Sequence, residues 1–403
     1  METKQALDGV KVIDFTWVVA GPLATKCLGD HGATVIKVES MNRLGLYRAY
    51  GPYAGGIPGV NRSYAFTAYN TSKYGITLNL NHPRGVDICK KLIAWADVVT
   101  ENFTAETMER WGLGYENLRK VNSEIIMIRA SMQGQTGPRA KQPGLGIMMQ
   151  ASGGYTYLIG WPDRPPLQPS VPMTDFVGAW HLVIITLAAL DYRSRTGKGL
   201  YVDLSQSEAG ISALAPAILD YSANKRSPRP VGNRSPYASP HGVFCCYGDD
   251  RWCAISISDD EEWESFCRVV DRRWTEDHKF ATLVERKQNE DELERLVEEW
   301  TLGFSAEEVM TRLQEAGVPA GVVESPQGLA SDPQLRYRQH FRTVEHSEIG
   351  SYINAAPSFR LSKTPCKLKP YPCLGEHNHY VYQEILGMSD EEFVSLLEEG
   401  VFY

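Results

Sequence analysis

Asp175 is the residue in this sequence best placed to do chemistry. It stands in VPMTDFVGAWHLVIITLAALDYRSRTGKG, where a proline and short polar residues lead into a long apolar run. Thr174 or Asp175 is expected to cap a helix there, with Arg193 and Arg195 suiting its C-terminal dipole and Gly197 ending it. Aspartates at helix starts are usually caps, and spacing alone favours that role. The same geometry also serves a nucleophile. Backbone N–H groups and the positive end of a helix keep a carboxylate ionised and aimed. If the surroundings exclude water, it can attack an activated acyl group.

Other catalytic signatures are missing. The first strand-to-helix turn lacks GxGxxG, although Glu39 stands where dinucleotide enzymes carry their ribose-binding acid. TGKG (196–199) lacks the distal glycine and the Ser/Thr of a P-loop, and there is neither GxSxG nor HExxH. The cysteines at 27, 89, 245, 246, 253, 267, 366 and 373 form no CxxC pair and keep no zinc-finger spacing with histidine, so no metal site is expected. His377 and His379, two apart in a Gly/Pro-flanked loop, read as solvent-exposed.

The elements that must position Asp175 alternate. VKVIDF (10–15), TVIKVE (34–39), DVVTEN (97–102), EIIMIRAS (124–131) and LYVDLS (200–205) are short apolar runs typical of buried strands. Between them, Gly21-Pro22 opens a helix that Gly32 closes, and further helices run from Pro83 to Ala96 and over Tyr115–Val121. This pattern implies an α/β fold, with a mostly parallel sheet covered on both faces. Residues 132–146 and the following QASGG are expected to be loops.

Composition shifts at 222–240, which reads as a linker. Residues 1–221 are then the N-terminal part of a large Rossmann-like domain. Residues 241–326 form a small α+β domain, with a hairpin turning near Gly248–Asp250 and helices around 260–270, 290–301 and 305–316. Residues 327–403 return to the large domain, irregular and proline-bearing until a final helix at 389–399.

With 403 residues, 43% of them hydrophobic and 22% charged, a sizeable core is expected. A net charge of −8 argues against nucleic acid or an anionic membrane as the main partner; an anionic ligand would need a local basic patch. METKQALDGVKV has no signal-peptide pattern, and the run Phe176 to Leu190 is shorter than a membrane span and contains His181. A cytoplasmic protein with free thiols is expected.

Four segments resemble the family III CoA-transferases, the group of formyl-CoA and carnitine CoA-transferases. They are LDGVKVIDFTWVVAGPLATKCLGDHGATVIKVES; YNTSKYGITLNL with VTENFTAETMERWGL; QASGG…MTDFVGAWHL…LAAL; and PCLGEHNHYVYQEILGMSDEEFVSLLEEGVF. The resemblance implies a CoA-transferase with Asp175 as nucleophile, CoA esters as substrates and no permanently bound cofactor or metal. It implies an interlocked dimer, of identical chains or with a paralogous subunit. It also places CoA along Val18, Val19 and Ala20, with Lys73, Asn102, Phe103, Ala105 and Arg110 holding its adenine and phosphates. Trp17, Tyr50 and the loop carrying Gly232, Asn233 and Arg234 would border the acceptor.

Three positions depart from the family pattern. Val19 replaces a glutamine; Ser40 replaces an arginine, with Arg43 near enough to substitute; and Leu145-Gly146 replaces a tyrosine–acid pair. The aromatics Trp17, Tyr47, Tyr50, Tyr155, Tyr157 and Trp161 suit a bulky or aromatic acceptor acid such as benzylsuccinate, with succinyl-CoA a candidate donor. The rival within this fold is an α-methylacyl-CoA racemase. It needs an acid–base pair where Gly144-Leu145-Gly146 stands, and these residues supply no base. A non-catalytic partner subunit and an NAD-dependent oxidoreductase are the further alternatives.

Overall fold

The computed structural model describes residues 4–403, which form two compact units. The first comprises everything up to Thr156, Gln168–Ser227 and Arg336–Tyr403; the second comprises Tyr157–Leu167 and Pro228–Leu335.

The first unit is built on a six-stranded parallel sheet of β1 (Lys11–Asp14), β2 (Thr34–Glu39), β3 (Tyr74–Thr77), β4 (Val98–Glu101), β5 (Ile126–Arg129) and β6 (Leu200–Asp203). Its order is β3-β2-β1-β4-β5-β6, so the chain reverses direction across the sheet between β1 and β4. Successive strand residues face opposite layers. Ile13, Ile36, Val99 and Met127 pack with Ile88, Leu92 and Ile93 of the helix Pro83–Trp95. Val12, Val35, Val98 and Ile126 pack with Ala24 and Leu28 of the helix Ala20–Asp30, and with Ala179 and Leu182 of the helix Met173–Thr196. Burying one such Leu or Ile side chain stabilises the fold by about 1.5–3 kcal/mol, so both faces of the sheet are firmly held.

Met173–Thr196 is the one helix among the described residues long and apolar enough to cross a membrane, and part of it belongs to this core. The second unit packs a three-stranded sheet, β7 (His241–Cys245), β8 (Trp252–Ser256) and β9 (Ala320–Val322), against amphipathic helices.

Several expectations need correction. QASGG does not start as loop, because Gly146–Ser152 is helical. The helix after β1 begins at Ala20, which puts Pro22 at its third position; it ends at Asp30, and Gly32, at φ 108° with its N–H on the Gly29 carbonyl, closes it as expected. A helix, Ala215–Asn224, runs into the stretch read as a linker. The region after 327 contains a hairpin, β10 (Phe341–His346) and β11 (Gly350–Ala355). His377 is half-buried, and its Nδ1 accepts a hydrogen bond from the Gly75 N–H at 3.2 Å.

Candidate active site

In an open parallel sheet the natural binding crevice lies beyond the carboxyl ends of the strands, where the strand order reverses. This protein has a cleft of about 680 Å³ there. Phe15 to Ala20 follow β1, Ser40 to Arg43 follow β2, Asn102 to Thr104 follow β4, and Met132 follows β5. Asp175 and the loop Pro143–Gly146 complete the wall.

Asp175 is not the helix cap. Pro172 occupies the cap position, which leaves Asp175 third in the helix with its side chain free of capping. Among the described residues no donor bonds its carboxylate. The residue is 4% exposed, and burial pushes its pKa up from 3.8 to about 7. Desolvation is the cause of that rise, and it favours the protonated form. A carboxylate that is buried, unpartnered and reachable from a cleft is more basic than an exposed one and carries no tightly held water.

Gly146 makes this geometry possible. A Cβ built on it would lie 2.6 Å from Asp175 Oδ2 and 2.4 Å from Pro172 Cβ, so only glycine fits. Sequence reasoning marked Leu145-Gly146 as a departure but missed this close approach, for which a glycine ahead of the next helix was the only signal.

The β1 turn is strained and clamped. Val18 has φ 68°, rare for a β-branched residue and costing about 1–3 kcal/mol. The Asn102 side chain holds the preceding residue in place: its Oδ1 accepts from Trp17 N at 2.7 Å and its Nδ2 donates to Trp17 O at 2.8 Å. The Trp17 ring stands edge-on to Phe103 at 5.9 Å, with the Arg43 guanidinium 5.3 Å above it. Arg43 and Arg110 are exposed on the cleft, and among the described residues neither forms an ion pair. They are two cations available to an anionic ligand in an otherwise acidic protein.

Of the residues singled out from sequence, the cleft gathers Trp17, Val18, Val19, Ala20, Arg43, Asn102, Phe103, Arg110 and Asp175. It does not gather the rest. Lys73 is fully buried; its Nζ donates to Asp14 Oδ2 at 3.0 Å, Asn70 Oδ1 at 2.8 Å and Pro22 O at 3.0 Å. Burial lowers its pKa even though Asp14 opposes the shift. Burial alone would raise the Asp14 carboxyl, but Lys37, Lys73 and the Thr16 and Thr25 hydroxyls outweigh it and hold it well below the usual range. This network pins the end of β1, from which the Trp17–Val19 turn departs; removing one member of such a buried pair costs about 3–5 kcal/mol.

Ala105 is buried and Tyr50 is exposed, and neither lines the cleft. Gly232, Asn233 and Arg234 lie in the second unit, where Arg234 bonds Glu294 and Asp291. The structure adds Met132, Met149, Thr107, Trp111 and Gln206 to the cleft wall. Thr107 and Trp111 stand in the segment VTENFTAETMERWGL, which carried the family resemblance, but were not singled out within it.

Comparison with known proteins gives the site its context. The sequence pattern of CoA-transferase family III matches residues 7–378. A succinyl-CoA–D-citramalate CoA-transferase of Chloroflexus aurantiacus is 32% identical over 401 residues, 98% of either chain. A succinyl-CoA–L-malate CoA-transferase beta subunit of the same organism is 32% identical over 409 residues, covering 99% of this chain and 98% of that one. The crystal structure of a CAIB/BAIF family protein from Brucella suis superposes with a TM-score of 0.86 at 30% identity, covering 95% of this chain and all of the other. With a parallel sheet in 3-2-1-4-5-6 order, a switch-point cleft and a family match along nearly its whole length, this chain belongs to CoA-transferase family III and is a CoA-transferase enzyme.

Proposed function

We propose that Asp175 is the nucleophile of an acyl-CoA:carboxylate CoA transfer, with succinyl-CoA as donor and a bulky or aromatic carboxylic acid, such as benzylsuccinate, as acceptor. The observation that carries this reading is the buried, unbonded Asp175 carboxylate opening onto a cleft that holds two arginines without ion-pair partners among the described residues. CoA lies along Val18–Ala20, its phosphates on Arg43 and Arg110 and its adenine against Phe103 and Asn102. The relatives named for succinyl-CoA support the donor. The apolar walls of Met132, Leu145 and Met149 support the acceptor.

In the proposed sequence Asp175 attacks the donor thioester carbon, the C–S bond breaks, and a mixed anhydride and CoA thiolate result. The thiolate attacks the aspartyl carbonyl, releasing the donor acid and leaving an aspartyl-CoA thioester. The acceptor carboxylate attacks that thioester, and the same steps in reverse give the new acyl-CoA. Thioester energy is retained throughout, so no ATP is consumed. Racemisation is disfavoured because no histidine lines the cleft among the described residues.

Incubation with succinyl-CoA and no acceptor should build up the aspartyl-CoA thioester. Hydroxylamine should then convert it to a hydroxamate that mass spectrometry places on Asp175. An adduct elsewhere, or none, would remove the proposal. In the same assay Arg110→Ala should raise KM for the CoA ester by about 10- to 100-fold, the loss of one charge-assisted phosphate contact.

The chain is further proposed to act as an interlocked dimer, either homomeric or with a paralogous subunit such as the alpha and beta subunits named among its relatives. Exposed Trp180 and Ile184 on the Asp175 helix, and Ile218 and Leu219 on the helix Ala215–Asn224, are apolar surface suited to a partner chain. Interlocked chains cannot part while folded. Sedimentation on serial dilution should therefore reveal no folded 45.0-kDa species; finding one would refute the interlock.

A further inference from the structure

A carboxylate in the third position of a helix ordinarily folds back to accept the backbone N–H of the cap residue, a bond that stabilises the helix start. Asp175 holds that position, and among the described residues its side chain makes no such bond. Two features of its surroundings account for this. The cap residue is Pro172, which has no N–H to offer. The next N–H, that of Met173, is already taken: Gln150 Oε1 accepts it at 3.0 Å. The Thr174 hydroxyl, a further donor beside Asp175, turns to the Gly146 carbonyl at 3.4 Å. Gln150 stands one turn after Gly146 on the helix Gly146–Ser152, so the helix face that meets Asp175 through Gly146 also presents this acceptor. The Gln150 side chain is fully buried, and its Nε2 has no hydrogen-bond partner. Folding alone does not favour an amide buried with one end unpaired, so its place here goes with what its other end does.

We infer that Pro172 and Gln150 are positioning residues for the nucleophile: together they deny Asp175 the backbone N–H groups that would draw its carboxylate back into the helix start, and so leave it facing the cleft. Neither lines the cleft, so both act through Asp175. With no hydrogen bond to favour the charged form, burial alone sets the direction of the Asp175 pKa, up to about 7. No ion pair offsets it. Lys26 pairs with Asp30 on the helix Ala20–Asp30, Arg129 pairs with Glu101 at the end of β5, and Glu208 on the helix Gln206–Ile211 is exposed. The helix Gly146–Ser152 carries no titratable group. Cys27, Tyr47 and Tyr69, whose pKa values burial raises, are neutral, while Arg43 and Arg110 line the cleft itself. A backbone N–H bonded to the Asp175 carboxylate would lower its basicity and turn it from the substrate.

Because this rests on Asp175 as nucleophile, rapid-quench measurement of the Asp175 adduct across pH is made first on the wild type. It is then made on Pro172→Ala, which restores a backbone N–H and keeps the Cβ, and on Gln150→Met, which keeps the size and frees the Met173 N–H. Melting curves report folding, and should one variant fail to fold, the other decides. In each, the pH midpoint of adduct formation, near 7 in the wild type, should fall by about one pH unit or more, the effect of an N–H bonded to the ionised form. The rate on the plateau above it should drop about 10- to 100-fold, with KM for the CoA ester unchanged. A midpoint that stays at the wild-type value in a folded variant overturns the inference and leaves Asp175 standing, whether or not the rate falls. A loosened helix start would slow the reaction without adding a bond to the carboxylate. No adduct on Asp175 in the wild type overturns both.

Discussion

Asp175→Asn should abolish CoA transfer, by at least about 10⁴-fold in kcat, and at the same time raise the melting temperature at pH 8. The two effects share one cause. The folded-state pKa of Asp175 is raised by burial from 3.8 to about 7, so the folded protein holds this proton more tightly than the unfolded chain does. Stability from this group then falls as pH rises from about 4 to about 7, where the native state must ionise a desolvated carboxyl. A tenfold difference in proton affinity between the two states is worth about 1.4 kcal/mol, so the penalty at pH 8 reaches a few kcal/mol. Asparagine has nearly the same shape and no charge to desolvate. The stability gap between variant and wild type should thus be largest above pH 7, shrink through pH 5 and vanish near pH 4. Wild-type activity should follow the opposite course, climbing through pH 7 as the nucleophile ionises. Thermal melts and pH–rate profiles check both. An asparagine variant that transfers CoA near the wild-type rate, or melts lower at pH 8, would show that Asp175 is a structural residue.

The sheet was largely legible in the sequence because a buried parallel strand reads as an apolar run between turn residues. β2 is such a run over its whole length, with Val35 to Glu39 all buried. β3 was not legible: YGIT is four residues long at the sheet edge, and it is completed by chain from the far C-terminus, with Gly75 against Pro372. The hairpin β10–β11 hides for a related reason. Its first strand buries only Val344 and His346, so its alternation is too weak to stand out. At the site, proximity to β1 and β4 was readable from the topology of the sheet, but depth was not. Lys73 and Arg110 are both cations near that end, yet one is sealed beneath the cleft with Asp14 and the other faces it. Side-chain type does not encode that difference; the layer of chain above it does. Likewise a helix-start aspartate looks like a cap until Pro172 is seen to hold the cap position.

Gly146→Ala tests that depth directly, because it touches Asp175 without altering any charged or reacting group. The added methyl would stand 2.6 Å from Asp175 Oδ2, 2.8 Å from its Cγ and 2.4 Å from Pro172 Cβ, all far inside contact distance. Something must shift, and the movable parts are the carboxylate and the first turn of its helix. Overpacking of this kind destabilises a fold by about 1–3 kcal/mol. The larger effect is on rate: displacing a reacting group by about an ångström costs on the order of 10²-fold. The three atoms nearest the methyl belong to Pro172 and Asp175, not to Arg43, Arg110 or the Val18–Ala20 turn, so KM for the CoA ester should hold while kcat falls. A rise in KM with kcat intact would mean that the loop before the helix Gly146–Ser152 serves binding, not the aim of the carboxylate. An alanine variant with both constants unchanged would mean that Asp175 is not held against Gly146 in the working enzyme, and the glycine would then be only the opening residue of a helix.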